Sequence, residues 1–208
     1  ARIRFGAQII EDSVFDDPFV AKQLAGMDSD IQELDELIDE ILTYARLEEG
    51  GPVLDFQKIN VAEVAQQVVG EARPPEQVSV SFEGSGPEGF PFSEAESRYV
   101  HRAIQNLVGN AGRYAKTRVK VRCSVADDIC RVDVEDDGPG IPEEDWDRVF
   151  SAFARLDDSR TRASGGYGLG LSIVRRIMYW HGGRALVGRS DELGGARFSL
   201  IWPRVHAD

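Results

Sequence analysis

Cysteine and histidine are scarce in this sequence. The 208 residues include two cysteines and three histidines, and no histidine lies beside a cysteine pair or just before an acidic residue. We therefore expect no metal ligand and no nucleophile at His101, His181 or His206. Cys123 and Cys130 fall on the inward face of a predicted hairpin, where they are expected to be small buried side chains rather than a disulfide.

Basic charge and long apolar runs are also lacking. The chain has 24 basic against 36 acidic side chains, a formal net charge of −12, which disfavours binding to a nucleic-acid backbone. No apolar run approaches the length of a membrane span, and the N-terminus has no signal-peptide pattern. The sequence opens with Ala1-Arg2-Ile3 instead of methionine, so we read it as a piece of a longer protein.

The N-terminal part has a helical pattern. Apolar residues recur at steps of three and four over residues 28–49, where Asp28 and Ser29 are candidate caps and Gly50 to Pro52 end the pattern. A similar pattern over residues 3–14 predicts an earlier helix, so residues 1–50 are interpreted as a helical hairpin. A second hairpin would complete a four-helix bundle by covering the apolar stripe. The members of that stripe are Ile31, Leu34, Ile38, Ile41 and Ala45.

Residues 53–208 are predicted to form a separate α+β domain, a two-layer sandwich with helices on one face, because strands and helices are mixed with an antiparallel hairpin. Strict alternation around Ala126-Asp127-Asp128 predicts a hairpin of strands 119–125 and 130–136. The other expected strands are 53–57, 78–82, 184–188 and 196–202. The expected helices are 61–72, 94–115 and 168–181, and a polar segment occupies residues 138–166.

Asp136 continues the inward phase of Cys130, Val132 and Val134, so a carboxylate ends an apolar row. Burial of a carboxylate is costly unless a group donates to it. The run from Asp137 to Ile141 has glycines at 138 and 140, which allow backbone to approach a ligand. A flat ligand with an exocyclic amine would suit this carboxylate, and the alternative is an ordinary surface turn.

Asn106 and Asn110 share one face of the preceding helix, and Arg113 follows one turn later. Stacked asparagines are poor helix formers but good oxygen ligands, so a Mg²⁺ site beside phosphates is one interpretation. A solvated polar stripe is the other.

A third motif, residues 165–171, places four glycines before an apolar helix. Such an N-terminus presents unpaired N–H groups to an anion. It is not a P-loop, because no Gly-Lys-Ser/Thr follows, and a flexible loop is the alternative.

In this order the three motifs resemble the N, G1 and G2 boxes of sensor histidine kinases, members of the GHKL ATPases that also include gyrase, Hsp90 and MutL. Residues 149–155 are similar to the F box of the lid, and residues 42–48 to the end of the second dimerisation helix. The resemblance implies a Bergerat-type fold. The sequence departs from the family pattern at Asp137, where asparagine is usual, and at Ser151-Ala152, where Glu-Pro is usual.

The resemblance also implies site residues for ATP and Mg²⁺. Asp136 would accept from the adenine amine, Asn110 would coordinate Mg²⁺ with support from Asn106, and Arg113 would meet a phosphate. Glycines 138 and 140 would let backbone approach the base, and glycines 166, 168 and 170 would cradle phosphates. The implied set also contains Tyr114, Ile141, Arg155 and Leu169, with Arg155, Arg160 and Arg162 as candidate lid cations.

The implied function is transfer of the γ-phosphoryl of ATP to a histidine upstream of this chain, then to an aspartate of a response-regulator receiver domain. The implied partners are that regulator and a second copy of the chain. The domain would be cytoplasmic, attached to the bacterial inner membrane through segments upstream. The rivals are a conformational ATPase of the same superfamily and a non-catalytic ATP-binding signalling module.

Overall fold

The computed structural model describes residues 18–49, 54–83, 91–156 and 167–206. The chain divides between Thr43 and Tyr44 into two compact units, each described by itself below. The division precedes the boundary predicted near residues 50–55. No helix in the described ranges is both long and apolar enough to cross a membrane.

The first unit is dominated by a long helix, α1 (Pro18–Glu48), whose last turn belongs to the second unit. The predicted start at Asp28 and Ser29 is wrong, since the helix runs continuously from Pro18. Proline is favoured at the first helical position because its φ is already helical and its missing N–H is not needed there. The predicted earlier helix over residues 3–14 lies outside the described residues.

The second unit begins its sheet elements after residue 56. Its elements in chain order are β1 (Gln57–Ile59), α2 (Val61–Glu71), β2 (Ser79–Glu83), β3 (Ser93–Ala95), α3 (Ser97–Tyr114), β4 (Arg118–Ala126), β5 (Ile129–Asp136), α4 (Gly170–Trp180), β6 (Arg184–Arg189) and β7 (Ala196–Pro203). Strands β1 and β3 pair with each other, whereas the main sheet has the order β2-β4-β5-β7-β6. Only the β2–β4 pair in that sheet is parallel.

The core lies between the main sheet and helices α2, α3 and α4. The helices contribute apolar residues at helical spacing, and the strands contribute every second residue. The fully buried members with large side chains include Ile104, Leu107, Ile173, Ile177, Met178, Phe198, Leu200 and Trp202. The architecture is therefore the predicted α+β sandwich, and it positions the ends of α3 and β5 and the start of α4 for a ligand.

The predicted hairpin is confirmed, with Asp127 and Asp128 both at positive φ in the turn. Cys130 is fully buried and Cys123 is half-buried, and both are free thiols. Burial raises the pKa of both thiols, that of Cys130 to about 12. Cys130 is therefore an inert packing residue of the core, whereas Cys123 is less buried than expected.

His181 is a packing residue, not a charge at the end of α4. Its Nδ1 donates to the Ile177 carbonyl at 2.8 Å, and its Nε2 accepts from the Glu96 N–H at 3.2 Å. Burial lowers the pKa of this imidazole, against the raising effect of the Ile177 hydrogen bond. Desolvation is thus the main influence on this imidazole, and it disfavours the charged form of His181 at the end of α4.

Candidate nucleotide site

Asp136 ends β5 as a buried carboxylate with only 3% of its surface exposed. Its Oδ1 accepts two backbone hydrogen bonds, from Gly138 N–H at 2.8 Å and from Ala196 N–H at 3.2 Å. Burial raises the pKa of this carboxyl, and the two N–H donors partly oppose that rise. Within the described part of the chain no hydrogen bond goes to Oδ2, so one carboxylate oxygen is fixed and the other is available to a donor.

Two glycines allow this geometry. A Cβ on Gly138 would lie 2.5 Å from the Tyr114 carbonyl oxygen and 2.8 Å from Asp136 Oδ1. A Cβ on Gly195 would lie 2.4 Å from both the carbonyl and Oδ1 of Asp136. Real Cβ atoms do not approach so closely, so both positions require glycine.

Asp137 turns away from the site and fixes the loop between α3 and β4. Its carboxylate accepts from the N–H groups of Lys116, Thr117 and Arg118 at 2.8 to 3.1 Å and from the Thr117 hydroxyl at 2.6 Å. Burial raises the pKa of Asp137, but these hydrogen bonds outweigh it and hold that pKa well below its ordinary value. The departure from asparagine therefore keeps an acceptor that anchors the loop beside Tyr114.

The asparagines of α3 differ in their surroundings. Asn106 is half-buried, and its Nδ2 donates to the Gly170 carbonyl at 3.3 Å, which links α3 to the first turn of α4. Asn110 is also half-buried, yet its amide has no hydrogen bond within the described residues. Arg113 and Tyr114, one turn further on, are exposed. Asn110 therefore has unused oxygen and nitrogen atoms on a partly desolvated helix face.

The start of α4 is open to an anion. Leu169 precedes the helix without a side-chain cap, so the first N–H groups have no side-chain acceptor. Gly168 has φ of +75°, and a Cβ there would lie 2.8 Å from the Ala154 carbonyl oxygen. Gly166 of the predicted phosphate-binding set lies outside the described residues.

The segment before the glycine motif is folded as far as the structure describes it. Two short 3-10 turns, Glu143–Asp145 and Arg148–Phe150, follow β5, and Phe150 packs edge-on against Phe198 with ring centroids 6.0 Å apart. Gly140, with φ of +76°, opens the segment, and the Ile141 carbonyl accepts from the Trp146 indole at 3.1 Å. The polar segment predicted over residues 138–166 therefore begins as packed structure, with Val149 and Phe150 both buried.

The end of this segment is tied to the glycine motif. Phe153, at φ of +62° and 64% exposed, donates its N–H to the Gly168 carbonyl at 2.9 Å. Arg155 is exposed and close behind it in sequence. The other candidate lid cations, Arg160 and Arg162, lie outside the described residues.

The described residues contain no group of three or more His, Cys, Asp or Glu side chains placed to hold a metal ion. A cation here would need asparagine oxygens together with ligands from a bound phosphate, a shell that suits Mg²⁺.

Sequence comparison decides the family. The family described as "Histidine kinase-, DNA gyrase B-, and HSP90-like ATPase" matches residues 95–206, more than half of the chain. The chain belongs to this ATPase family. The family resemblance noted in the N, G1 and G2 boxes is thereby confirmed, and α3, β5 and α4 all lie within the matched residues.

Individual relatives of this ATPase domain are sensor kinases. The sensor protein RstB of Escherichia coli strain K12 is 35% identical over 91% of this chain and 43% of its own length. The sensor histidine kinase CpxA of the same strain is 33% identical over 88% of the chain and 39% of its own length. The chain thus spans about two fifths of the length of these relatives.

A solved structure agrees. Full-length ShkA, described as a complex with AMPPNP, superposes with a TM-score of 0.77 at 26% identity, covering 92% of this chain and 40% of that chain. Together these relatives identify the chain as the catalytic ATP-binding domain of a two-component sensor histidine kinase, preceded by a long helix.

Proposed function

We propose that this domain binds Mg·ATP and supplies the γ-phosphoryl group that the parent protein transfers to a histidine and then to an aspartate of a response-regulator receiver domain. The observation that carries the proposal is the buried Asp136 carboxylate, with one oxygen fixed by two backbone N–H groups and the other available. Such an acceptor suits the exocyclic amine of adenine.

In this proposal the base lies against backbone. Gly138 and Gly140 let the chain approach the ring closely, with the Ile141 backbone and the exposed Tyr114 side chain nearby in sequence. Because a Cβ at Gly138 would clash with the Tyr114 carbonyl oxygen, no side chain covers the backbone here, and a planar ring could lie flat against it. Adenine specificity then comes from Asp136 alone among the side chains assigned to the site.

The phosphates and the cation are assigned to α3 and α4. Asn110 would coordinate Mg²⁺ because its amide has no other partner in the described chain, and the Nδ2 bond to Gly170 would hold the oxygen of Asn106 in a fixed orientation. Mg²⁺ would neutralise phosphate charge during transfer. The uncapped start of α4, at Gly168 to Gly170, would accept phosphate oxygens, with Arg113 and Arg155 as further cations.

None of the three histidines has the sequence context expected of the acceptor, because none comes just before an acidic residue. His181 is fully buried with both ring nitrogens bonded, His101 contacts Glu71 at 3.2 Å, and the His206 ring stacks on Phe56 at 4.0 Å. We therefore expect the 208-residue chain to bind ATP without labelling itself from γ-labelled ATP. The full parent chain, which would supply the acceptor helix, is expected to become labelled.

Acid treatment identifies the product, because phosphohistidine is lost in acid whereas phosphoserine survives. A matched control is the parent chain carrying Asp136→Ala, which should label poorly. Acid-stable label on the parent, or any stable label on the 208-residue chain, would refute the assignment of a separate histidine acceptor.

We further propose that α1 pairs with a second copy of the chain in a four-helix bundle. Leu34, Ile38 and Ile41 of the predicted stripe are 43 to 55% exposed in the single chain. Burying an aliphatic side chain of this size is worth about 1.5 to 3 kcal/mol, so an uncovered stripe favours a partner.

Glu at positions 34 and 38 together is expected to give a monomer that still binds ATP, as measured by light scattering and calorimetry. The matched control also adds two acidic residues, Ala25→Glu and Gln32→Glu, at exposed positions on the opposite face of α1, and it should leave the dimer intact. A dimeric Leu34→Glu, Ile38→Glu variant would place the dimer on another surface.

The proposed function also includes a cytoplasmic position of the domain and attachment to the membrane through other segments of the parent.

A further inference from the structure

The turn between β6 and β7, residues 190–195, connects the site to the opposite face of the sheet. At its end, Gly195 N–H donates to the Asp136 carbonyl at 3.1 Å, and the next residue, Ala196, donates to Asp136 Oδ1 at 3.2 Å. Both bonds are at the long end of the N–H···O range, so a small displacement of this 190–195 turn would break them. The position of the turn therefore sets the orientation of the Asp136 carboxylate.

Ser190 organises the turn from within. Its hydroxyl accepts from Leu193 N–H at 2.9 Å and donates to the carboxylate of Glu135, and its backbone bonds both Gly194 and Gly195. Ser190 and Glu135 are 1% and 4% exposed, so water does not compete for these bonds. Glu135 precedes Asp136 in β5, and its side chain therefore lies on the other face of the sheet.

Glu192, in the middle of the turn, binds the same outer face. It accepts from Lys120 Nζ and from Arg122 Nη2 on β4. These cations also contact Glu83 on β2, Lys120 at 2.9 Å and Arg122 at 3.2 Å, and Arg122 contacts Glu135 at 3.0 Å. The hydrogen bonds from Lys120 and Arg122 lower the pKa of Glu192 to about 2.

We propose that this outer-face cluster (Glu83, Lys120, Arg122, Glu135 and Glu192) is a positioning device for adenine recognition. By fixing the 190–195 turn through Ser190 and Glu192, it keeps Ala196 N–H on Asp136 Oδ1 and leaves Oδ2 directed at the adenine amine. None of its side chains touches the nucleotide. The inference rests on the proposed role of Asp136, and it adds that selectivity for the 6-amino group is set from the far side of the sheet.

The test compares ATP with purine riboside triphosphate, which lacks the 6-amino group, by calorimetric titration of the full chain. Wild type is expected to prefer ATP by about tenfold or more, the value of a hydrogen bond to a charged acceptor. Ser190→Ala and Glu192→Gln are expected to reduce that preference at least about threefold while the affinity for the analogue stays within about twofold. A purely structural defect would instead weaken both nucleotides together.

Arg131→Gln is the matched control. Arg131 lies on the same face of β5 and, in the described chain, pairs with Asp133 at 2.8 Å and Ser199 at 2.9 Å, outside the turn. This variant should keep the full preference for ATP. If Ser190→Ala does not fold, Glu192→Gln still carries the test, because its side chain is 47% exposed and tolerates a neutral replacement.

Two results would overturn the inference while Asp136 keeps its role: an undiminished preference in folded Glu192→Gln, or equal loss of both nucleotides. Failure of the proposed function itself has a different signature. In that case wild type binds both nucleotides equally and Asp136→Ala leaves ATP affinity unchanged, and the inference falls with it.

Discussion

Gly195→Ala is expected to lower the affinity of the domain for ATP by about ten- to a hundredfold. The added Cβ would lie 2.4 Å from both the carbonyl and the Oδ1 of Asp136, so the backbone must move. That movement breaks the Gly195 and Ala196 hydrogen bonds to Asp136 and misaligns the acceptor for adenine. Calorimetric titration with Mg·ATP measures the loss, and thermal unfolding confirms that the variant is folded.

Gly70→Ala is the control for this substitution. Gly70 lies in the last turn of α2, and a Cβ there meets nothing within 4 Å. Alanine in a helix is favoured over glycine by about 0.5 to 1 kcal/mol, so this variant should be at least as stable as wild type, with unchanged ATP affinity. Full ATP affinity in folded Gly195→Ala would show that the close approach to Asp136 is unnecessary for binding.

The parts of the fold that could be predicted from the sequence are those with a repeating local pattern of apolar residues. Strict alternation predicted β4 and β5, and the phase of β5 predicted that Asp136 faces inward. The three-residue strand β3 was missed because Ser93 to Ala95 carries no alternation long enough to detect. The parallel pairing of β2 with β4 also has no local signal, since its paired residues lie 39 positions apart in the sequence.

The residues of the candidate site could likewise be predicted only where they follow a local pattern. Asn106, Asn110 and the glycines before α4 were found from spacing, but Gly195 and Ala196 were not assigned to the site. Their contact with Asp136 depends on the pairing of β5 with β7, whose last pair is Glu135 with Arg197. The only available signal was the pair Gly194-Gly195 ahead of a strand, which marks a close backbone approach without naming the partner.

Asp136→Ala is expected to weaken ATP binding by about one to two decades, because the adenine amine loses a charged acceptor worth about 1.5 to 3 kcal/mol. The wild-type affinity should also depend on pH. Burial raises the pKa of this carboxyl, so protonation removes the acceptor at a higher pH than an ordinary aspartate, near 3.9, would allow. Titrations from neutral pH downward should show ATP affinity falling more steeply in wild type than in the variant, because protonation of the nucleotide itself affects both proteins equally.

For Asp136, the pH dependence of folding stability differs from that of ATP binding. Because its folded-state pKa is raised, the carboxyl favours the folded state below the unfolded pKa, and that contribution is lost as pH rises through the raised value. Asp136→Ala removes this charge cost at neutral pH but also removes the acceptor for the Gly138 and Ala196 N–H groups, so ATP affinity is the cleaner measurement.

Asn110→Ala supplies the contrast. Its loss of ATP affinity should depend on Mg²⁺, whereas the loss in Asp136→Ala should persist in EDTA. Unchanged ATP affinity in Asp136→Ala would remove this carboxylate from the site.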